Sequence, residues 1–159
     1  MKLGLALREL HRSERALAVK LDALAARHHS DHAIRHVATD LAAWSRHHVD
    51  EIAATGRDYG LHLRWMPHLA ALSAPLQQRL SDMLGRRPEP AMLLLADLRR
   101  VYRMAAGVSV DWELLAQGAQ AAKDQRLLEL AQRCHPDTLR QLRWANAMLK
   151  ELAPQTLTS

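Results

Sequence analysis

Acidic and imidazole side chains interrupt the leucine-rich pattern of this chain at a few positions. Read in steps of three and four residues, the N-terminal region places leucine at nearly every position of one helix face, with Glu14 in its middle. A second such face carries His48 and Glu51. An ionised carboxylate buried alone costs on the order of several kcal/mol, so it must be paired, protonated or bound to a metal. The contacts of Glu14 are therefore the main clue to function.

The second half of the chain holds a matching pair of candidates. Folding the first two helices about residue 30 brings Glu14 level with His48, and folding the last two about residue 124 brings His135 near Asp111. Inward-facing glutamates and histidines from different helices are how bundles hold iron or manganese pairs. The sequence predicts a metal centre of iron, manganese or zinc, with ligands drawn from Glu14, His48, Glu51, His135 and Asp111.

A metal-free interpretation of the same residues is equally open. A pair formed by Glu14 with His48, or with an arginine, satisfies the buried charge without any metal. A single polar position in a helix seam can also fix the register of the bundle. A lone seam histidine such as His135 is then a hydrogen-bonded core residue.

The elements that must position these residues are all helical. No segment alternates between apolar and polar residues as a strand does, phenylalanine is absent, and good helix formers dominate. The periodicity predicts four helices over residues 2–28, 32–57, 91–123 and 125–153. Ser30 or Asp31 is the expected N-cap of the second helix, and Gly56 and Gly60 mark its end.

The connection over residues 60–90 is rich in proline and long for a plain loop, with room for a short helix over residues 75–84. Two long hairpins joined by such a crossover predict a single domain, residues 1–159, with a ferritin-like four-helix bundle. Pro136 either kinks the last helix or divides it in two, and the unbroken apolar seam favours one kinked helix.

Two short segments resemble a known family. Residues 9–17, ELHRSERAL, resemble the first-helix signature of the bacterial ferritin-like stress proteins of the Yci type, with Glu14 in the place of the ligand glutamate. Residues 47–60, HHVDEIAATGRDYG, are similar to the end of that family's second helix, with His48 in the place of the ligand histidine. The resemblance implies a ferritin-like fold and a stress-related role.

The chain departs from the family at most of the other ligand positions. The run WELLA from Trp112 resembles the family's aromatic–Glu–apolar run, but the expected ligands around it are missing. The resemblance therefore implies a degenerate centre without ferroxidase chemistry, and a single zinc ion on Glu and His is easier to build. The remaining expected ligand positions hold Ser45, Val110 or Asp111, Cys134 or His135, and Thr138.

A group of histidines surrounds the turn of the first hairpin. His32 and His36 lie one helical turn apart, and Asp40 continues the same stripe. The spacing suits a metal on a helix surface, and it equally suits a solvated stripe that is partly protonated at mildly acidic pH. The other members of the group are His28 and His29.

Charge and cysteine content limit the classes of function. The net charge is +5 with a pI near 10.0, but the arginines, for example Arg99, Arg100 and Arg103, are spread along the chain among acidic residues. Solvated helix faces explain them, with nucleic-acid binding as the alternative. The single cysteine, Cys134, excludes an internal disulfide, suits a reducing cytoplasm and fits a small core residue. No run of eighteen apolar residues occurs, so no membrane association is expected.

Motifs of catalysis and phosphate binding are missing, since the chain has no G-x-S-x-G, no glycine-rich phosphate loop, no CxxC and no HExxH. The sequence favours an accessory, stress-related protein that acts by binding or assembly in the cytoplasm. Wide apolar helix faces and the run of Leu93, Leu94 and Leu95 predict a homodimer. The alternatives are an iron- or manganese-dependent oxidoreductase and a basic bundle that binds nucleic acid.

Overall fold

Four long helices make up the part of the chain that the structure describes. The structure is a computed structural model that describes residues 2–65 and 89–159. It contains α1 (Leu3–Arg27), α2 (His32–Gly56), α3 (Pro90–Ala121) and α4 (Gln125–Thr158), and a 3₁₀ turn, Arg57–Tyr59, follows α2. No strand occurs in these two ranges. The prediction of an all-α helical bundle is confirmed at this level.

Local side-chain caps explain where two of the helices begin. The Asp31 carboxylate accepts a hydrogen bond from the backbone N–H of Ile34 at 3.0 Å, as predicted for one of the two candidate caps. The Asp124 carboxylate accepts from the N–H of Leu127 at 3.1 Å and starts α4 in the same way. Pro90 stands in the first turn of α3, where its missing N–H costs no helical hydrogen bond.

The last helix is longer than the sequence predicted. It continues without interruption through Pro136 and Pro154 to Thr158, beyond the predicted end at residue 153. A proline removes one backbone donor, and in α4 the buried apolar face on either side of Pro136 holds the helix together across that loss. The other predicted helices match to within two residues at each end. Most of the predicted crossover, with its short helix over residues 75–84, lies outside the described residues.

Contacts between α1 and α3 fix their relative direction. Ser13 near the middle of α1 donates to Asp111 at 2.7 Å, and His28 just after α1 contacts Asp97 near the start of α3 at 2.9 Å. Residue numbers rise along one helix as they fall along the other, so α1 and α3 are antiparallel. The α1–α2 and α3–α4 hairpins therefore pack against each other through α1 and α3.

The second contact between the hairpins joins α2 and α4. Tyr59, just after α2, donates to Asp124 at the start of α4, whereas Gln141 further along α4 donates to the backbone oxygen of Leu41 at 2.9 Å. These two helices are also antiparallel, and it follows that α2 and α3 run in the same direction.

The core follows the leucine seam of α1. Its members are fully buried and pack against apolar residues of all three other helices, and burying each one stabilises the fold by roughly 1.5–3 kcal/mol. None of the helices in the described ranges is apolar over enough residues to cross a membrane. The fully buried leucines of this seam are Leu7, Leu10, Leu17, Leu21 and Leu24.

Candidate functional site

Glu14 is fully buried in the centre of the bundle and meets a side chain from each of the other three helices. Its Oε1 lies 2.8 Å from His48 Nδ1, 2.8 Å from Trp112 Nε1 and 3.3 Å from Thr138 Oγ1. These partners come from α2, α3 and α4 respectively. We call Glu14, His48, Trp112 and Thr138 the Glu14 network.

The helix faces bring these four side chains together because each lies on the buried stripe of its own helix. Trp112 is the largest fully buried side chain, and its ring meets His48 edge to face, with the ring centres 5.9 Å apart. The indole N–H donates to Glu14 Oε1, so the polar edge of Trp112 is satisfied inside an apolar core. The sequence singled out Trp112 only as the start of the run WELLA and did not predict this hydrogen bond.

His48 is flanked by two carboxylates. Its Nδ1 faces Glu14, and its Nε2 lies 3.4 Å from Asp137 Oδ2. Burial alone lowers the pKa of His48, but the hydrogen bonds and negative charges of Glu14 and then Asp137 outweigh it, so the pKa is raised above its ordinary value. Only the imidazolium form donates from both ring nitrogens. The geometry therefore favours a charged His48 donating to Glu14.

The second oxygen of Glu14 is in a different position. Oε2 is buried and has no hydrogen-bond donor among the described residues. Buried carboxylate oxygens normally accept a hydrogen bond. Within the described residues, Oε2 of Glu14 is thus the unsatisfied acceptor of the network.

Cys134 lies in the hydrophobic core close to this network, as predicted for a small core residue. Burial, followed by the negative charges of Glu14 and Glu51, raises the pKa of its thiol to about 12. The thiol therefore stays protonated near neutral pH, which makes it a poor nucleophile and a poor metal ligand.

The other three predicted ligands contact residues outside the Glu14 network. Glu51 accepts from Arg133 at 3.0 Å, and Asp111 accepts from Ser13 at 2.7 Å. The third, His135, is hydrogen-bonded through Nε2 to a serine hydroxyl, that of Ser109, at 2.8 Å.

Of the five predicted ligands, the structure joins only Glu14 and His48. Within residues 2–65 and 89–159, no group of three or more His, Cys, Asp or Glu side chains is arranged to hold a metal ion. The metal centre, with iron, manganese or zinc, stays a prediction.

The buried side-chain amide of Gln141 lies one helical turn from Thr138 of the Glu14 network. The side chain of Gln141 donates both to the Leu41 carbonyl and to Ser45 Oγ, each at 2.9 Å. Ser45 occupies a position where the family resemblance implies a glutamate. Its hydroxyl oxygen accepts the hydrogen bond from Gln141 of α4. Sequence reasoning did not identify Gln141, although a glutamine on the apolar seam of α4 was a signal for it.

Asp97 forms a second buried charged cluster that sequence reasoning also missed. It lies 2.5 Å from Lys20 Nζ, 3.0 Å from Arg27 Nη1 and 2.9 Å from His28 Nε2. Burial raises the pKa of Asp97, but the hydrogen bonds from Lys20 and His28 and the charges of Lys20 and Arg27 lower it below its ordinary value. We call these four residues the Asp97 cluster. Asp97 interrupts an apolar stripe of α3, which was the available sequence signal.

The hairpin histidines do not act as one group. His28 belongs to the Asp97 cluster, whereas His29, His32 and His36 are exposed. His36 Nε2 lies 3.7 Å from Asp40 Oδ2, with both side chains mostly in solvent. This arrangement is typical of a solvated stripe.

Comparison with known proteins gave no match, either to a family model, to a curated protein or to a solved structure. The resemblance to the ferritin-like stress proteins therefore rests on the sequence segments alone and stays a prediction.

Proposed function

We propose that the protein is a ferritin-like bundle with a degenerate centre, which acts by binding or assembly in an accessory, stress-related role in the cytoplasm. The observation that carries the proposal is the environment of Glu14. One of its oxygens accepts hydrogen bonds from side chains of three other helices. Three protein donors thus hold one oxygen of the buried glutamate without a metal ion, and the glutamate fixes the register of the four helices.

The positions of the helix ends support the ferritin-like part of the proposal. Leu61, shortly after α2, lies beside Gly4 at the start of α1. Asp97, near the start of α3, instead contacts His28 at the end of α1. The end of α2 and the start of α3 are thus at opposite ends of the bundle, as in four-helix bundles with a long crossover.

The chemistry of the donors argues against a carboxylate-bridged metal pair. Such centres need several inward carboxylates, and here Glu51 and Asp111 would have to leave the partners that they contact. An imidazole ligates a metal only in its neutral form, whereas the two carboxylates around His48 favour the protonated form.

Elemental analysis tests the proposal. The untagged protein would be purified without chelator and compared with Glu14→Gln and with Glu129→Gln, a matched change at an exposed glutamate. The expected result is far less than one equivalent of iron, manganese or zinc in all three proteins. One or two equivalents in the wild type and in Glu129→Gln, lost in Glu14→Gln, would contradict it.

The open Oε2 of Glu14 favours one alternative, a metal-dependent oxidoreductase. A cation bound there would be repelled by the charged His48 ring, so its affinity would rise with pH as His48 becomes neutral. The alternative requires tight, stoichiometric metal together with turnover of oxygen or peroxide. Metal binding that does not depend on pH would contradict a site at Oε2 of Glu14.

A homodimer remains part of the proposal. Val110 and Leu114 lie one turn apart on α3 and are 52% and 63% exposed, respectively. We expect concentration-dependent dimerisation in sedimentation experiments, weakened by Leu114→Glu. The matched control Leu157→Glu, at the end of α4 and 65% exposed, should have no such effect. A wild-type protein that stays monomeric at high concentration would contradict the dimer.

A further inference from the structure

A basic groove lies between the first half of α1 and the segment that follows α2. It encloses about 390 Å³ and is lined by four arginines, two histidines, one glutamate and one leucine. Two of the arginines come from different chain segments, Arg15 from α1 and Arg64 from the segment after α2. None of the residues that line the groove belongs to the Glu14 network.

The three arginines of α1 share one face of the helix. Arg8, Arg12 and Arg15 follow one another in steps of four and three residues. Like charges at this spacing repel one another and weaken the helix. Within the groove only Glu9 opposes them, and it is hydrogen-bonded to Arg12 at 2.5 Å. The groove therefore carries an excess of positive charge that a bound anion would offset.

The remaining arginines of the groove form no ion pair with another side chain that the structure describes. Among the ion pairs formed within residues 2–65 and 89–159, none involves Arg8, Arg15 or Arg64. A guanidinium presents its N–H groups as a planar fork that matches two oxygens of a phosphate or carboxylate.

A buried imidazole at the wall of the groove gives an independent indication of a ligand. His11 is only 4% exposed, and its Nε2 has no hydrogen-bond partner among the described residues. Buried ring nitrogens are normally satisfied. Nε2 itself is shielded from water, so a ligand oxygen in the groove bonds to it once the ring turns towards the groove.

The electrostatics around His11 agree with this geometry. Burial and then the charge of Arg15 lower the pKa of His11, while Asp50 on α2 acts in the opposite direction. The surroundings of the ring are thus short of negative charge, which a phosphate group would provide.

We propose that this groove binds a small phosphorylated ligand, with Arg8, Arg15 and Arg64 on its oxygens and the ring of His11 at its wall. The volume of the groove lies within the range of about 300–1,000 Å³ that is common for small-molecule sites. The inference goes beyond the proposed function, because it requires neither a metal nor the Glu14 network.

Calorimetric titration with pyrophosphate at low ionic strength tests the proposal. The groove variant Arg15→Gln/Arg64→Gln would be compared with Arg99→Gln/Arg103→Gln, which removes the same charge from the exposed face of α3. We expect the groove variant to bind roughly tenfold more weakly or worse, because hydrogen bonds between charged groups are the strong ones. The control variant should bind as the wild type does.

Nitrogen-15 NMR of the imidazole rings provides a local readout. Pyrophosphate should move the signals of His11 and leave those of the exposed His36 in place. Circular dichroism would establish that both variants keep their helices. If the double groove variant fails to fold, the single variant Arg64→Gln, which changes no helical residue, takes its place and should still weaken binding severalfold.

Three results would overturn the proposal. One is the absence of pyrophosphate binding to the wild type, and another is equal weakening by the groove and control variants, which indicates a diffuse charge effect. The third is binding of a single-stranded oligonucleotide with a steep salt dependence in the absence of pyrophosphate binding, which would favour a nucleic-acid surface instead.

Discussion

Glu14 and Asp97 are both buried carboxylates on otherwise apolar helix faces, and they are stabilised by different kinds of partner. Asp97 lies near one end of the bundle, where the side chains of Lys20 and Arg27 and the ring of His28 reach it from α1 and the turn after it. Glu14 lies at the centre and accepts from an indole, a hydroxyl and an imidazole.

The difference follows from access to water. Lys20 and Arg27 keep 16% and 30% of their side chains exposed, so they neutralise Asp97 while their charged groups stay partly solvated. The centre of the bundle has no such route, and a long cationic side chain there would lose its own hydration. Two neutral donors and one imidazole ring contact one oxygen of Glu14 instead. Asp97 thus ties α1 to α3 at one end, whereas Glu14 ties all four helices at the centre.

The largest expected effect is the loss of the Glu14 carboxylate. Glu14→Ala leaves the donors of His48, Trp112 and Thr138 unpaired in the core and should destabilise the fold by about 3–5 kcal/mol. Glu14→Gln keeps an acceptor oxygen and should cost less, about 1–3 kcal/mol. Urea unfolding measures both. Equal stability of the wild type and Glu14→Ala would mean that the network does not hold the bundle together.

A smaller effect is expected at Asp97. Asp97→Asn leaves the charges of Lys20 and Arg27 beside a neutral amide and should cost about 2–3 kcal/mol, because both side chains can turn towards water. Added salt should reduce the loss, since it screens the remaining repulsion. Unfolding at two salt concentrations measures it, and a cost larger than that of Glu14→Ala would reverse the comparison.

The smallest expected effects are changes in the pH dependence of stability, which have opposite signs for His48 and Asp97. The pKa of His48 is raised, so its contribution to stability is complete below the unfolded value near 6.5 and is lost as pH rises through the folded pKa. The pKa of Asp97 is lowered, so its contribution is complete above its unfolded value near 3.8 and is lost as pH falls through the folded pKa.

Denaturation across pH tests both signs with one matched pair of variants. His48→Gln should flatten the loss of stability on the alkaline side, and Asp97→Asn should flatten the loss on the acid side. His11, with its lowered pKa, gives a further destabilisation as pH falls below about 6.5, so His11→Gln provides the correction for it. The comparison fails if His48→Gln changes only the acid side.

The sequence predicted the central pair but not its full environment. Helical spacing and a fold about residue 30 placed Glu14 level with His48, and the two are in contact at 2.8 Å. That prediction needs only one hairpin, whose register follows from its short turn. The contribution of Trp112 could not be derived, because an aromatic residue on an apolar stripe looks the same with or without a hydrogen bond from its ring.

The contacts between the two hairpins could not be predicted from the sequence. The Asp97 cluster depends on the register of α1 against α3, which a long connection leaves undetermined. The same uncertainty explains why His135 and Asp111, placed near Glu14 by analogy with ferritin-like centres, are hydrogen-bonded to Ser109 and Ser13. The continuation of α4 past residue 153 was missed because Pro154 reads as a terminator by local rules.

Thermal unfolding with and without a chelator tests directly whether protein donors hold the buried Glu14 in place without a metal ion. A metal bound only to the folded state raises the melting temperature, and its removal lowers it. We expect the same Tm for untagged protein in EDTA, in buffer alone and with added iron(II), manganese(II) or zinc. A Tm that falls by several degrees in EDTA, is restored by one of these ions and is insensitive to both in Glu14→Gln would contradict it.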